Sequence, residues 1–525
     1  MKLLSRRSKD SKRRRRLELL ERLGISLVRL GRENVAREVF EKGTKLLEYN
    51  VGCTKVEIWE YEGRGHYVAI EPELTEDDVD AYYEAMELLY FSARMRPGVE
   101  PSDVLEEVIE TVARRFSKKK RSVNIEALKY YLYRDALGYK VIDVVIRDPR
   151  IEDITVEGVG KPLRVFHRDV SYLDWLVTNI VFHRAEDLDA IATLLAYKAK
   201  RHVSTAFPIA EGTLPEKHRL ALTFSYEVSP FGTGFTIRKF REEPLTVAHL
   251  IKFGSISPLM AAYWWILLEF KGSIFIVGAM ASGKTTLLNA LLSMLPPNWK
   301  IVTIEDTPEL RLPHTGWRPL VARHIYSFGE AKIAEVTLFD LVKLALRERA
   351  DFIAVGEIRG EEAYVFMQAL ATGHGGACTF HGDSVESMVA RLTTPPINVP
   401  IGFLPLISNV VITRYIRIPG RKPVRRVVQV HEILDAREPR EVEYTTVFRW
   451  SIEDDKHYPQ SAEEVVKRSQ KIRKVAELAG WDETTLVREL EERASLLSRL
   501  VMENRLRYDE VAHEIQLFYK KKWGF

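Results

Sequence analysis

Residues 278–285 read GAMASGKT, the full G-x-x-x-x-G-K-[ST] pattern, between an apolar run, SIFIV, and a helical one, TLLNALLSML. Gly278 and Gly283, with Ala281 and Ser282 between them, let successive backbone N–H groups turn inward around phosphate oxygens, and a following helix N-terminus adds partial positive charge. Lys284 then reaches β and γ phosphates and Thr285 ligates Mg²⁺, with Thr286 completing the phosphate-binding set. Two further runs carry acids at their ends: KIVTIED presents Glu305 and Asp306, followed by Glu309, and DFIAV delivers Gly356, Glu357, Ile358 and Arg359. Either glutamate can polarise an attacking water or sit in a Mg²⁺ shell, since residue type and position do not separate the two duties. The reading adopted gives water activation to Glu305 and the Mg²⁺ shell to Glu357. A third segment, TGHGGACTFHG, places His374 in a glycine-rich turn and His381 at the end of ACTF, with Thr379 between them. A histidine so placed can donate to a γ-phosphate; two histidines without a third ligand make a poor zinc site.

The elements that must position these residues are strands written as continuous apolar runs and alternating with helices, the texture of a parallel sheet covered on both faces. This predicts a nucleotide-binding α/β core over 248–435. Upstream, NIEALKYYLYRDALGY has helical spacing while PLRVFH, RLALTF and GFTIRKF read as strands, so an α+β domain is expected over 123–241. REEPLTV has charge, proline and no period, and the linker is placed at 242–247. A basic segment, 1–30, and an accessory region, 31–122, precede these; the latter ends in the basic run RRFSKKKR, read as a solvated linker. Beyond 435, alternating charges predict a C-terminal helical region over 436–525.

Composition bounds the rest. At 525 residues, with 46% hydrophobic and 29% charged, the chain has material for more than one core and is not a disordered chain. Cys53 and Cys378 are the two cysteines, too few for a disulfide framework or a four-cysteine zinc site. The longest apolar run, LMAAYWWILL, is ten residues, half of the roughly 20 a membrane span needs. The N-terminus lacks the apolar centre of a signal peptide. A cytoplasmic location is expected, peripheral at the inner face of the cell membrane. The net charge of +4 hides a separation: residues 1–16 carry nine Lys and Arg against one Asp, leaving the remainder at −4. Such a head suits an anionic membrane surface. The basic runs are not interleaved with aromatic residues as a single-strand track would be, so no nucleic acid is expected as a partner.

Together, GAMASGKT, IVTIEDTPELRL, FIAVGEIRG and TGHGGACTFHGDS, in this order, resemble the phosphate loop, acidic box, second nucleotide motif and histidine box of the secretion ATPase superfamily of type II secretion, type IV pilus assembly and archaellum motors. The resemblance extends upstream through YRDALGYKVIDVVIRDPRIEDITVEGVGKPLRVFHR, and the absence of a four-cysteine subdomain points to the archaeal branch. It implies a RecA-like P-loop ATPase domain preceded by a small α+β domain, with helical accessory segments at both ends. It also implies a homo-hexamer that binds ATP and Mg²⁺ and drives filament assembly or secretion through a polytopic membrane platform protein. By the same resemblance Lys284, Thr285, Glu305, Glu357, His374 and His381 fall on motif positions, and Arg219 and Arg238 fall on two arginines that reach phosphate. Upstream of Arg219 the chain has GTLPEKH where the family usually has Asp-Gly-Ser. Alternatives are an archaellum motor and, from another class, a RecA-like helicase or DNA-transport component.

Overall fold

The computed structural model describes residues 26–91, 98–241, 243–323, 335–417, 423–437 and 441–524. The basic head at 1–16 and Glu242 of the expected linker lie outside them. The chain divides into two compact units, 1–241 and 242–525.

The first unit is built on a sheet whose described strands are β1 (Thr44–Val51), β2 (Thr54–Tyr61), β3 (Arg64–Ile70), β4 (Ile151–Val156), β5 (Pro162–His167), β6 (Trp175–Val181), β7 (Ile209–Thr213), β8 (Arg219–Thr223) and β9 (Gly234–Arg238). Their order is β1-β2-β3-β6-β5-β4-β9-β8-β7, so one sheet runs from the accessory region into the α+β segment. Only β3 and β6 pair in parallel among them. Between β2 and β3, Glu62 and Gly63 both take positive φ (51° and 72°), the two-residue turn that matches strand twist. The helix Pro101–Lys118 buries Leu105, Ile109, Val112 and Phe116 at helical spacing, against the helices Glu76–Phe91 and Ile125–Leu132. The basic run at 114–121 is therefore not a linker. Its first residues close that helix, where cations complement the dipole, and Arg121 pairs with Asp77 and Asp80.

The second unit carries β10 (Ser273–Gly278), β11 (Ile301–Glu305), β12 (Trp317–Val321), β13 (Phe352–Ile358), β14 (Gly375–His381), β15 (Asn409–Ile416), β16 (Val424–Arg437), β17 (Glu441–Ser451) and β18 (Lys456–Tyr458). The order is β12-β11-β13-β14-β10-β15-β16-β17-β18. From β12 to β15 all pairings are parallel; β16 to β18 add an antiparallel extension. Alternate residues of β10 enter two separate cores, Ile274 and Ile276 one, Phe275 and Val277 the other, as a sheet covered on both faces requires. The LMAAYWWILL run is the middle of the helix Pro258–Glu269, buried on all sides between this sheet and the C-terminal helices. Residues 441–451 and 456–458 are strands, inside the 436–525 region expected to be helical. Helices follow at Ala462–Arg468, Gln470–Ala479, Glu483–Met502 and Tyr508–Trp523. No described helix is long and apolar enough to cross a membrane.

Candidate functional site

Parallel pairing brings the carboxyl ends of β10, β11, β13 and β14 to one edge, where open α/β sheets bind ligands. Gly278 lies opposite His381 of β14 and Thr413 of β15. Ile304 pairs with Val355, which sets Glu305 beside Gly356 and next to Glu357. The two strands approach closely there: a Cβ on Gly356 would stand 3.1 Å from the Glu305 Cγ and would press on that side chain.

The phosphate loop is shaped by backbone. A Cβ at Gly278 would fall 2.3 Å from Thr413 Oγ1 and 2.4 Å from Ser282 Oγ, so only glycine fits. Those two hydroxyls are 2.9 Å apart and tie the loop to β15. Ala281 (φ 59°) and Gly283 (φ 93°) take left-handed conformations, and the helix Lys284–Leu292 begins at once, with Thr285 and Thr286 half-buried in its first turn. Lys284 Nζ donates to the carbonyls of Gly278 and Ala279, both at 2.9 Å, as stand-ins for phosphate oxygens. Its pKa is lowered, chiefly by burial, with Glu357 opposing.

Glu305 is 3% exposed. One carboxylate oxygen, Oε1, accepts the N–H groups of Glu309 (2.8 Å) and Leu310 (2.9 Å); the other, Oε2, is buried without a hydrogen-bond partner. Burial pushes its pKa up to about 7, against those two N–H groups. Glu357 is half-buried and accepts from Arg359 at 2.6 Å, and the same guanidinium lies 3.7 Å from Asp306. Thr379 on β14 donates to the Gly356 carbonyl at 2.5 Å, fixing the strand that bears Glu357. His381 is exposed at the end of β14, its carbonyl held by Arg391.

His374 is not brought to this edge. It precedes Gly375 at the start of β14, the opposite end from His381, so about 20 Å of strand separates the two. Its Nδ1 lies 3.1 Å from Thr372 Oγ1 and 3.2 Å from the Ala369 carbonyl, contacts that close the turn after the helix Glu362–Ala371. The expectation that it binds nucleotide is corrected on that ground.

Arg219 and Arg238 belong to the first unit. They face each other across β8 and β9, both exposed, and Arg238 Nε donates to Asp153 of β4 at 3.1 Å. Like charges directly opposite on a sheet repel, and Asp153 offsets part of that repulsion.

One contact was not foreseen. Arg425 of β16 donates Nε to the carbonyl of Ala281 at 2.8 Å, which holds the left-handed residue of the loop from 144 positions away. No sequence signal marks it; only the β15–β16 register carries it there.

The residues fit a chain of phosphates. Gly278 admits no side chain, Lys284 occupies loop carbonyls that phosphate oxygens would replace, and Glu305 aims an unpartnered buried oxygen from the same edge. Fold and site together define a P-loop nucleotide-binding protein of RecA-like architecture.

The model of the Type II/IV secretion system protein family matches residues 146–404. The chain is 39% identical over 412 residues to uncharacterized protein MJ0900 of Methanocaldococcus jannaschii, covering 78% of this chain and 73% of that one. It is 42% identical over 253 residues to uncharacterized protein MJ1287 of the same organism, covering 48% and 90%. To the type IV secretion system protein PtlH homolog of Bordetella bronchiseptica it is 31% identical over 267 residues, covering 46% and 76%. The chain belongs to the type II/IV secretion ATPase superfamily.

Proposed function

We propose that this chain is a Mg²⁺-dependent ATPase that works as a homo-hexameric motor on a polytopic membrane platform protein, powering assembly of a pilus-like filament or secretion. The observation that carries it is the convergence of the phosphate loop, Glu305 and Glu357 on one sheet edge. Lys284 leaves the carbonyls of Gly278 and Ala279 for the β and γ phosphates, and the loop N–H groups and helix N-terminus hold the rest of the chain of phosphates. Thr285 and Glu357 would hold Mg²⁺, which when bound neutralises charge shared by the β and γ oxygens. Glu305 takes the proton of the attacking water at Oε2 while the bond from the γ-phosphorus to the ADP oxygen breaks. Its N–H-bound Oε1 keeps the acceptor oxygen aimed, and a pKa of about 7 matches a general base near neutral pH. His381 donates to the γ-phosphate, and Arg219 and Arg238 stabilise its charge. The basic head at 1–16 supports work beside an anionic membrane on the cytoplasmic side, each basic residue near such a surface adding about 1 kcal/mol.

The purified full chain is expected to hydrolyse ATP with Mg²⁺. Lys284→Ala should reduce kcat by about 10²–10³-fold, as loss of one preorganised charge on the transition state does. A wild type without hydrolysis, or a variant matching it, ends this reading.

A further inference from the structure

The last described helix, Tyr508–Trp523, seats Val511, Ile515, Phe518 and Tyr519 in the core of the second unit. The turn before it is pinned twice: Thr246 Oγ1 donates to the Leu506 carbonyl at 3.0 Å and Lys252 Nζ to Asn504 Oδ1 at 2.6 Å. Its first residue, Tyr508, is thereby set in place, and its hydroxyl donates to the carbonyl of Arg311 at 2.5 Å, 197 positions away. The N–H of Arg311 is held from the other side by Asn289 Oδ1 of the phosphate-loop helix at 2.8 Å. Arg311 directly follows Glu309 and Leu310, whose N–H groups grip Glu305 Oε1. Leu310 and Leu312 anchor the same stretch in the core. The segment 309–311, whose first two N–H groups aim the Glu305 carboxylate, is thus held at Arg311 between the nucleotide-binding helix and the C-terminal helix.

We infer that Tyr508 is a positioning residue for Glu305, acting through the Arg311 backbone, and that the C-terminal helix is by this contact a working part of the ATPase site. The inference rests on the proposed hydrolysis. Burial raises the Tyr508 phenol to about 12, so the hydroxyl stays protonated and donates throughout the working range. Asn289 binds the same segment from the element that carries Lys284, so nucleotide contact and carboxylate orientation share one backbone. Besides Arg311, Tyr508 meets Ser293, at the end of the helix Lys284–Leu292 remote from the phosphate loop. Losing its hydroxyl therefore loosens the Glu305 carboxylate without emptying the phosphate site.

The test is Tyr508→Phe in the full chain, with Tyr519→Phe as its companion. The Tyr519 hydroxyl, on the same helix, donates to Met294 at 2.9 Å and accepts from Trp265 Nε1, away from the acidic segment. Tyr508→Phe should lower kcat about five- to tenfold at unchanged KM for ATP and speed hydrogen exchange at the Glu309 and Leu310 amides. Tyr519→Phe should lower thermal stability and leave kcat and those amides as in the wild type. If wild type hydrolyses ATP and Tyr508→Phe equals it in kcat and exchange, the positioning role is overturned and the ATPase reading stands. Equal losses of kcat in both variants also overturn it, since that is the mark of general destabilisation. A wild type without hydrolysis overturns both.

Discussion

Glu305 is the residue on which chemistry and stability pull in opposite directions. As the proposed water-activating base it has to be ionised before the reaction, yet it is buried, and burial penalises the charged form. Its folded pKa of about 7 stands above the ordinary 4.5, so the folded state holds a proton that the unfolded state has released between those values. Stability from this group is therefore fully present below pH 4.5 and is lost as pH rises through 7. Converted at 1.36 kcal/mol per pKa unit, the ionised side chain costs the fold about 3 kcal/mol above neutrality. Glu305→Gln should then raise the unfolding free energy at pH 8 by about 1–3 kcal/mol in urea titrations, with little effect at pH 4, while reducing kcat at least about a hundredfold. A variant less stable than wild type at pH 8 would show that the carboxylate is a structural anchor instead. The motif order made this residue legible, because its strand, its acid and its place after the phosphate loop are all local in sequence. His374 lay in an equally suggestive glycine-rich run, and what displaced it is strand direction: seven residues of β14 separate the start from the working edge.

Elements that depend on distant pairing were the ones the sequence could not disclose. Strands β10, β11, β13 and β14 each announce themselves by an apolar run and a polar end, whereas β17 and β18 lack such a run and hold their place by antiparallel pairing, β17 with β16 and β18 with β17. The contacts of Arg425 with Ala281 and of Tyr508 with Arg311 arise the same way, from registers closed over 144 and 197 positions. The C-terminal helices show what such closure can cost. Arg493, 1% exposed, pairs with Glu269 of the central helix at 2.6 Å and with Glu489, while its guanidinium stacks over Phe518 at 4.8 Å. Lys522 reaches Glu489 as well and Glu492 at 2.9 Å, and Trp523 Nε1 donates to Glu269 at 3.2 Å. A buried charge cluster gains little over apolar packing when intact but is costly to break on one side. Arg493→Met leaves Glu269 facing the core without its guanidinium and should destabilise the second unit by about 3–5 kcal/mol, read as a lowered denaturation midpoint. Adding Glu269→Gln should return part of that loss, and a double variant no better than the single one would mean that the stacking on Phe518, rather than the charge, is what matters.

For the whole molecule the question is what the first unit contributes to a reaction whose phosphate loop and acids all lie in the second. The described cations at the loop are already engaged: Lys284 on loop carbonyls, Arg359 on Glu357, Arg425 on Ala281. Of these, Lys284 is the one that phosphate oxygens can recruit by replacing carbonyls. The others would have to give up a carboxylate or the loop itself. On the first unit, Arg219 and Arg238 sit directly opposite on β8 and β9, with Asp153 neutralising one of them. Two planar guanidinium groups suit the oxygens of a transferring phosphoryl group. If hydrolysis uses that charge, it belongs to the chain of 525 residues and not to the nucleotide-binding unit alone. Arg219→Ala and Arg238→Ala should each lower kcat by about 10²-fold while ATP affinity changes little, because the charge is needed as the γ-phosphoryl departs more than when the nucleotide binds. The double variant should lose little beyond either single one, since residues that act as a unit are not additive. Equilibrium nucleotide titration beside steady-state turnover separates the outcomes. A rise in Kd that accounts for the whole loss would make the pair a binding contact. Unchanged kcat in both variants would remove the two arginines from the reaction.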